Sequence, residues 1–203
     1  MSVLRYISHP NVVIDPDVDI PRWGLSDIGR RRFERMLAQP WVPSIGRIVT
    51  STETKAVEAG TMLAEHLGLA IEQREASGEN DRSATGYVPH EQHEALADRF
   101  FGWPHQSADG WERAVDAQRR VVDALADLVS EPVGIERWAA GDVAVIGHGG
   151  VGTLLYCHLA GEDIDRRHDQ PGQGHYWTYD RSSGTMAHGW RSIDILDADR
   201  PAR

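Results

Sequence analysis

Short apolar runs alternate with longer amphipathic stretches along most of this chain. The apolar runs predict strands at residues 3–7, 45–49, 69–73 and 142–147, and the segment GHYWTYD predicts an edge strand. The amphipathic stretches predict helices at residues 27–38, 52–67, 109–131 and 151–160. Strands that alternate with helices favour a single three-layer α/β/α sandwich with a mostly parallel central sheet.

Local signals set the ends of these elements. Ser26 and Thr52 are the expected N-caps of the first two helices, and Gly68 ends the second. The helix at 109–131 has one apolar stripe, interrupted by a single polar residue, formed by Trp111, Val115, Gln118, Val122, Leu125 and Val129. This stripe predicts packing against the sheet. The loop SGENDRSATGYVP is too polar and glycine-rich for regular structure, and loops of this kind often carry function.

The composition is that of one ordinary globular domain. The chain has 203 residues, of which 40% are hydrophobic and 26% charged, and a chain of this size buries about 70% of its surface on folding. We expect one domain over residues 1–203, with a frayed tail from about 196. The sequence contains neither a 20-residue apolar run nor a signal-like start, so we expect a cytoplasmic protein without membrane association. The single cysteine, Cys157, excludes an internal disulfide and fits a buried helix position.

The charge distribution argues against nucleic-acid binding, which depends on clustered basic residues. The net charge is −10. Residues 1–50 nevertheless carry seven basic and five acidic side chains, whereas the rest of the chain carries 14 basic and 26 acidic ones. A small anionic ligand near the N-terminal part is therefore compatible with the sequence.

Ionisable residues follow three of the predicted strands. His9 follows the first strand, the segment TSTETK follows the second, and His148 follows the strand at 142–147. Ligands of open α/β sheets bind outside the carboxyl ends of the strands, so we expect these groups to share one site. Lys55 ends the TSTETK segment and is the only lysine beside 20 arginines. We expect it to be exposed on its helix, where its loss would leave stability nearly unchanged.

Four segments, in order, resemble the histidine phosphatase superfamily, also called the phosphoglycerate mutase-like family. They are RYISHP, PRWGLSDIGRRR, TSTETKAVEAG and VIGHGGV. The resemblance implies a phosphoryl-accepting nucleophile at His9, phosphoryl binding by His148 and Lys55, and an acidic proton donor in the mid-chain loop. Glu79 is the first choice for this donor and Glu75 the second. The implied activity is metal-independent phosphomonoester hydrolysis through a phosphohistidine, with a small phosphorylated substrate and no cofactor.

Two departures from the family pattern weaken the expected phosphate pocket. The usual Arg-His-Gly is replaced by Ser8-His9-Pro10, and lysine replaces the usual arginine at position 55. Ser8 is expected to bind the phosphate through one donated hydrogen bond but brings no charge, and Pro10 offers no backbone N–H to an anion. Arg82 is the best candidate to supply the missing charge, ahead of Arg5 and Arg22. If nothing replaces it, the alternative is a catalytically impaired phosphate-ligand binding protein with the same fold.

Two rival interpretations are weaker. Residues 147–152 also match G-x-G-x-x-G, which in a strand–turn–helix context is typical of dinucleotide binding. The required second apolar strand does not follow, because residues 161–174 are a charged loop. His90 and His93 lie among polar residues without a matched carboxylate pair, which disfavours a metal site.

Overall fold

A computed structural model describes residues 2–129 and 141–199. Its six strands form one sheet: β1 (Val3–Ser8), β2 (Ile45–Thr50), β3 (Ile71–Gln73), β4 (Asp142–Gly147), β5 (His175–Asp180) and β6 (Thr185–Ser192). The α-helices of this part of the chain are α1 (Asp27–Met36), α2 (Thr54–Leu67), α3 (His90–Gly102), α4 (Ala114–Val129) and α5 (Gly149–Ala160).

The strand order brings the carboxyl ends of three strands together. The order is β3-β2-β4-β1-β5-β6, with β1 to β4 mutually parallel and β5 and β6 antiparallel additions. At the end of the central strands, Ser8 pairs with Gly147 and Thr50 pairs with Ile146. The residues that follow β1, β2 and β4 therefore emerge side by side at one edge of the sheet.

Alternating strand residues supply a hydrophobic core on each face of the sheet. Leu4 and Tyr6 of β1 point to the core that includes α3, α4 and α5. Ile7 points to the opposite core, which includes α1 and α2. Helices on both faces of a mostly parallel sheet confirm the predicted α/β/α sandwich. Cys157 is buried in α5, as predicted, and burial raises the pKa of its thiol.

Strand β6 and helix α3 were not predicted from the sequence, and β5 was predicted at the wrong place in the sheet. The segment predicted as an edge strand is β5, which lies between β1 and β6 and has four consecutive buried residues. The edge strand on this side of the sheet is β6, whose half-exposed residues give no strong apolar pattern. Helix α3 begins with the polar run HEQHE and buries only residues of its second half, so its hydrophobic period is short.

Helix α4 differs from its prediction in length and in its buried face. It begins at Ala114 and not at 109, and the predicted end at 131 lies outside the described residues. The positions that are fully buried are Ala114, Ala117, Val121, Leu125 and Leu128. The predicted stripe relied on large side chains, whereas alanines on the neighbouring face bring the helix close to the core.

Part of the tail predicted to be frayed is attached to the domain. The hydroxyl of Tyr176 donates to Asp197 Oδ1 at 2.6 Å, and the Asp197 N–H donates to Gln39 Oε1 at 2.9 Å. Residues 200–203 lie outside the described part of the chain. Within the described residues, none of the helices combines the length and the apolar character needed to span a bilayer.

Candidate active site

His9 and His148 lie side by side at the ends of β1 and β4. The His9 N–H donates to the carbonyl of Gly147 at 2.9 Å, and the His9 carbonyl accepts from the N–H of Gly174 at 3.0 Å. The two imidazole ring centroids are 5.3 Å apart, with an angle of 67° between the ring planes. The sheet thus brings together two histidines that are 139 positions apart in the sequence.

The surroundings of His9 fix the tautomer of its imidazole. Its Nδ1 lies 2.9 Å from the carbonyl oxygen of Pro10, which can only accept, so Nδ1 carries the proton and Nε2 carries the lone pair. Burial, followed by the charges of His148 and Lys55, lowers the pKa of His9 from 6.5 to about 3. The imidazole is therefore neutral and nucleophilic throughout the physiological range.

This depressed pKa predicts acid sensitivity. As the pH falls from 6.5 towards 3, His9 takes up a proton in the unfolded chain but not in the folded one, so stability falls. Between pH 7 and pH 4 we expect His9 to account for about 3 kcal/mol of lost unfolding free energy. Urea titrations across this range should show a shallower pH dependence for His9→Asn. Equal slopes for His9→Asn and wild type would contradict the prediction, and exposed His66, replaced by glutamine, is the matched control.

Tyr6 and Ser51 hold His148 in place. The Tyr6 hydroxyl accepts from the His148 N–H at 3.0 Å and donates to its carbonyl at 3.1 Å. Ser51 Oγ lies 2.7 Å from His148 Nε2 and also accepts the N–H of Glu53 at 3.3 Å. The other ring nitrogen of His148, Nδ1, is fully buried. This buried nitrogen has no hydrogen-bond partner within residues 2–129 and 141–199.

The glycines around His148 are explained by close packing. A Cβ at Gly147 would lie 2.2 Å from the Tyr6 hydroxyl oxygen, and one at Gly152 would lie 2.4 Å from Tyr6 Cε1. A Cβ at Gly149 would lie 2.1 Å from Gln170 Nε2, and one at Gly150 would lie 2.8 Å from Glu79 Oε1. The glycines of the G-x-G-x-x-G match are therefore required by close packing against side chains of this domain, and the match is explained without a bound dinucleotide.

Lys55 is buried, contrary to the prediction that it is exposed. Only 3% of its surface is accessible, and its ammonium group is ion-paired with Glu53. Its Nζ also donates to the Ile20 carbonyl at 2.9 Å. The N-cap of α2 is Glu53 and not the predicted Thr52, which places Lys55 in the first helical turn facing inward. The lysine still lines the cavity beside His9.

Glu53 is a site residue that the sequence reasoning missed. Its carboxylate pairs with Lys55, lies 3.3 Å from His148 Nε2, and accepts the N–H of Glu79 at 2.8 Å. Burial opposes ionisation, but the charges of His148 and Lys55 lower the pKa of Glu53 to about 2. The only sequence signal was an acidic residue two positions before the lone lysine.

Glu79 and Arg82 both reach the cavity from the loop after β3. The Glu79 carboxylate accepts the N–H groups of Gly150 at 3.2 Å and Val151 at 3.0 Å, at the N-terminus of α5. Burial opposes its ionisation, but the charges of Arg82 and His148 hold the pKa of Glu79 below its ordinary value. Arg82 donates to His93 Nε2 at 2.7 Å. His93 thus serves as the hydrogen-bond acceptor of a cavity arginine.

The other charged candidates lie away from this site. Arg5 is ion-paired with Asp142, at the opposite end of the sheet. Arg22 and Glu75 are exposed and do not line the cavity. Arg82 is thus the candidate arginine that the structure places at the site, and Glu79 the candidate carboxylate.

A second missed segment, Asp169 and Gln170, reaches the site from the loop before β5. The Ser8 hydroxyl donates to Gln170 Oε1 at 2.5 Å, and Gln170 Nε2 has no hydrogen-bond partner in the described ranges. Asp169 accepts from the Thr153 hydroxyl at 2.8 Å, and burial raises the pKa of its carboxyl group. No motif identifies these residues, because Ser8 and Gln170 are 162 positions apart.

These groups surround one cavity of about 640 Å³. Its polar lining includes His9, Lys55, Glu79, Arg82, Asp169 and Gln170. Ser8 and His148 are fully buried beside it. Among the described residues, no group of three or more His, Cys, Asp or Glu side chains is arranged to hold a metal ion.

Comparison with protein families identifies the chain. The model of the histidine phosphatase superfamily (branch 1) matches residues 12–179. The chain belongs to the histidine phosphatase superfamily. The match begins after Ser8-His9-Pro10, so the atypical motif lies outside it. Membership supports a phosphatase-type function for this chain.

Several solved structures have the same fold as this chain. A mycobacterial glucosyl-3-phosphoglycerate phosphatase in complex with inorganic phosphate is 21% identical, with a TM-score of 0.74 and coverage of 96% of this chain and 100% of that one. YhfR of Bacillus stearothermophilus is 20% identical, with a TM-score of 0.73 and coverage of 99% and 98%. A putative α-ribazole-5′-P phosphatase of Escherichia coli is 17% identical, with a TM-score of 0.73 and coverage of 96% and 99%. A comparison with curated proteins gave no match.

Proposed function

We propose that this histidine phosphatase hydrolyses phosphomonoesters through a phosphohistidine on His9, without a metal ion. The observation that carries the proposal is the hydrogen bond from His9 Nδ1 to the Pro10 carbonyl at 2.9 Å. It fixes the tautomer, so that the neutral imidazole has its lone pair on Nε2, in a ring that lines the cavity. Burial keeps this imidazole neutral, because it lowers the pKa of His9.

The reaction takes two steps. The Nε2 lone pair attacks phosphorus, the ester P–O bond breaks, and the leaving oxygen takes a proton from a carboxylic acid. A water molecule then attacks the phosphohistidine, the N–P bond breaks, and the carboxylate accepts the water proton. Inorganic phosphate and free His9 are released. Charge develops on the phosphoryl oxygens in both steps, so hydrogen-bond donors must surround them.

Four groups are positioned to bind those oxygens. Lys55 and Arg82 supply positive charge. His148 Nδ1 has no hydrogen-bond partner in the described part of the chain and donates to the phosphoryl group when it carries a proton. The fourth donor is Gln170 Nε2, which takes the place of the arginine that is missing at position 8. Ser8 Oγ lies 2.5 Å from Gln170 Oε1 and holds the amide group in place. A Cβ at Gly149 would lie 2.1 Å from this Nε2, so the amide lies directly on the first turn of α5, where N–H groups favour anions.

Glu79 remains the first choice for the proton donor, and Asp169 is the second. Glu79 is ionised before substrate binds, because Arg82 and His148 hold its pKa low. An arriving phosphate dianion repels the carboxylate and favours its protonation. Asp169 is favoured by a different observation, since burial already raises its pKa. Asp169 thus replaces Glu75 as the second choice, because Asp169 lines the cavity and Glu75 does not.

The charge balance of the site favours impaired phosphate binding as the second candidate function. Lys55 and Arg82 are balanced by ionised Glu53 and Glu79, and burial lowers the pKa values of both histidines. A dianion therefore enters a site whose two cationic side chains are already balanced by carboxylates. A protein with such a site binds phosphorylated ligands weakly and turns them over slowly.

A direct assay separates the two functions. Hydrolysis of phenyl phosphate should be measured with and without a chelator, after metal removal from the purified protein. The proposal expects saturable turnover that the chelator does not change. Binding of phenyl phosphate by calorimetry without release of phosphate would instead establish the impaired binding protein.

The choice of proton donor predicts a leaving-group effect. Glu79→Gln should slow the hydrolysis of phenyl phosphate about a hundredfold. It should slow 4-nitrophenyl phosphate far less, because nitrophenolate leaves without a proton. The two kcat values should be compared in Glu79→Gln and in Asp169→Asn. If only Asp169→Asn shows the leaving-group dependence, the proton donor is Asp169.

The role of Gln170 predicts a loss of phosphate affinity. Gln170→Ala removes one hydrogen bond and should weaken inorganic phosphate binding about tenfold, as measured by calorimetry. Gln170→Glu adds a negative charge at the same place and should weaken binding more. Gln106 is exposed and outside the cavity, so Gln106→Ala is the matched control. Wild-type affinity in Gln170→Ala would remove Gln170 from the phosphate site.

A further inference from the structure

The cavity is much larger than a phosphoryl group requires. Its volume of about 640 Å³ lies within the range of about 300–1,000 Å³ that is typical of pockets for small organic molecules. His9 lies at one part of this cavity, so the remaining space adjoins the reacting phosphorus. The side chains around that space therefore contact the organic part of a substrate.

An apolar wall lines the mouth of the cavity. It is built from the loop after β1 and the loop after β3, and consists of Val12, Ile14, Ile20, Trp23 and Tyr87. The Trp23 and Tyr87 ring centroids are 5.8 Å apart, so the two loops meet through aromatic contact. Trp23 Nε1 donates to the carbonyls of Asp15 and Val18, both at 2.9 Å, which fixes this ring as a rigid part of the wall.

Part of this wall exposes apolar surface to water. Ile14 is 58% exposed and Tyr87 is 40% exposed, and they belong to the small set of large hydrophobic side chains exposed in the described part of the chain. Covering such surface with an apolar ligand is favourable, by about 25 cal/mol per Å² buried. The wall residues and His9 line the same cavity. A phosphate ester whose phosphorus lies at His9 therefore places its organic part against this wall.

The charges in the cavity disfavour a second anionic group on the substrate. Arg166 is ion-paired with both Glu94 and Asp98, and Lys55 is ion-paired beside His9. Arg82, in contrast, makes no ion pair with a carboxylate within the described ranges, and it lies next to Glu79 at the phosphoryl site. A carboxylate or second phosphate elsewhere on the substrate would therefore find no available cation.

We infer that the substrate is a phosphomonoester whose organic part is uncharged and aromatic or broadly apolar, and that this part packs against Trp23 and Tyr87. The inference rests on the proposed function for the position of the phosphorus atom. It adds the substrate class, which neither the family nor the fold neighbours specify for this chain.

Binding of three phosphonates to the full chain tests the substrate class. Methylphosphonate, phenylphosphonate and phosphonoacetate share a C–P bond that a phosphatase does not hydrolyse, and they differ only in the organic part. Calorimetry should give phenylphosphonate a Kd about tenfold lower than that of methylphosphonate. Phosphonoacetate, which carries a carboxylate, should bind no more tightly than methylphosphonate.

Matched variants locate the effect at the wall. Tyr87→Ser and Ile14→Ser should each remove much of the preference for phenylphosphonate and leave the Kd of methylphosphonate unchanged. Trp103 is 56% exposed and lies outside the cavity, so Trp103→Ser should leave all three Kd values unchanged. Tyr87 and Ile14 are exposed, so their replacement by serine should not prevent the protein from folding.

The outcomes distinguish this inference from the proposed function. Equal binding of the three phosphonates, tighter binding of phosphonoacetate, or no binding of any of them would overturn the substrate class. Preferred binding of phenylphosphonate by a protein that does not hydrolyse phenyl phosphate would support the substrate class and overturn the catalytic proposal.

Discussion

Replacement of His9 by asparagine is expected to abolish turnover, with a loss of about 10³-fold or more in kcat/KM for phenyl phosphate. The asparagine amide can still donate to the Pro10 carbonyl in place of Nδ1, so the local backbone should be retained. What the variant lacks is the Nε2 lone pair that forms the bond to phosphorus. Rapid quenching without acid should trap an acid-labile phosphate on His9 in the wild type, detected by mass spectrometry.

The control for this experiment is His66→Gln, because His66 is exposed on α2 and far from the cavity lining. It should retain full activity and form the phosphoprotein. Full activity in His9→Asn, or phosphate trapped on another residue, would refute the mechanism. Loss of activity together with loss of the folded state would be recognised by urea titration, and His9→Gln would then replace His9→Asn in the comparison.

Replacement of Lys55 by methionine is expected to lower both stability and phosphate affinity. Lys55 and Glu53 form a buried ion pair, so the variant leaves the Glu53 carboxylate buried without its main partner. Breaking such a pair from one side costs about 3 kcal/mol or more of unfolding free energy. The carboxylate, uncompensated, also repels an incoming phosphate. Urea titration and phosphate calorimetry measure the two effects separately.

A double variant tests this explanation. Lys55→Met combined with Glu53→Gln removes both charges and should recover part of the lost stability, although not the phosphate affinity. Lys55→Arg keeps the charge and introduces the residue usual in the family, so it should bind phosphate. Unchanged stability in Lys55→Met would agree with the expectation of an exposed lysine and contradict the buried pair.

The buried pair also gives stability a pH dependence at low pH. The pKa of Glu53 falls to about 2 in the folded protein, from an ordinary value of 4.5. A depressed carboxyl pKa contributes stability that is present above about pH 4.5 and is lost as the pH falls towards 2. His9 loses its contribution over the higher interval from 6.5 to about 3. The two acid-sensitive groups therefore act in overlapping but distinct pH intervals.

Hydrophobic periodicity predicted most of the strands and helices, but it did not predict where the helix faces and the sheet edge lie. The predicted apolar stripe of α4 is offset by about one residue from the positions that are buried, because buried alanines contribute little to a hydrophobic count. The segment GHYWTYD is predicted as an edge strand because β6, which follows it, is only half-buried and has no strong apolar pattern. Both errors concern packing partners, which a local pattern does not specify.

Three features could be predicted without the structure: the α/β order of elements, the two strand-end histidines and the polar loop with Glu79 and Arg82. These features depend on side-chain periodicity and on residue types next to each other in the chain. The burial of Lys55 against Glu53 and the contact between Gln170 and Ser8 are seen only in the folded chain. Such contacts depend on which loops meet at the sheet edge, and the Ser8–Gln170 contact joins residues 162 positions apart. No spacing rule connects residues so distant, because their distance in space is set by the packing of the whole domain.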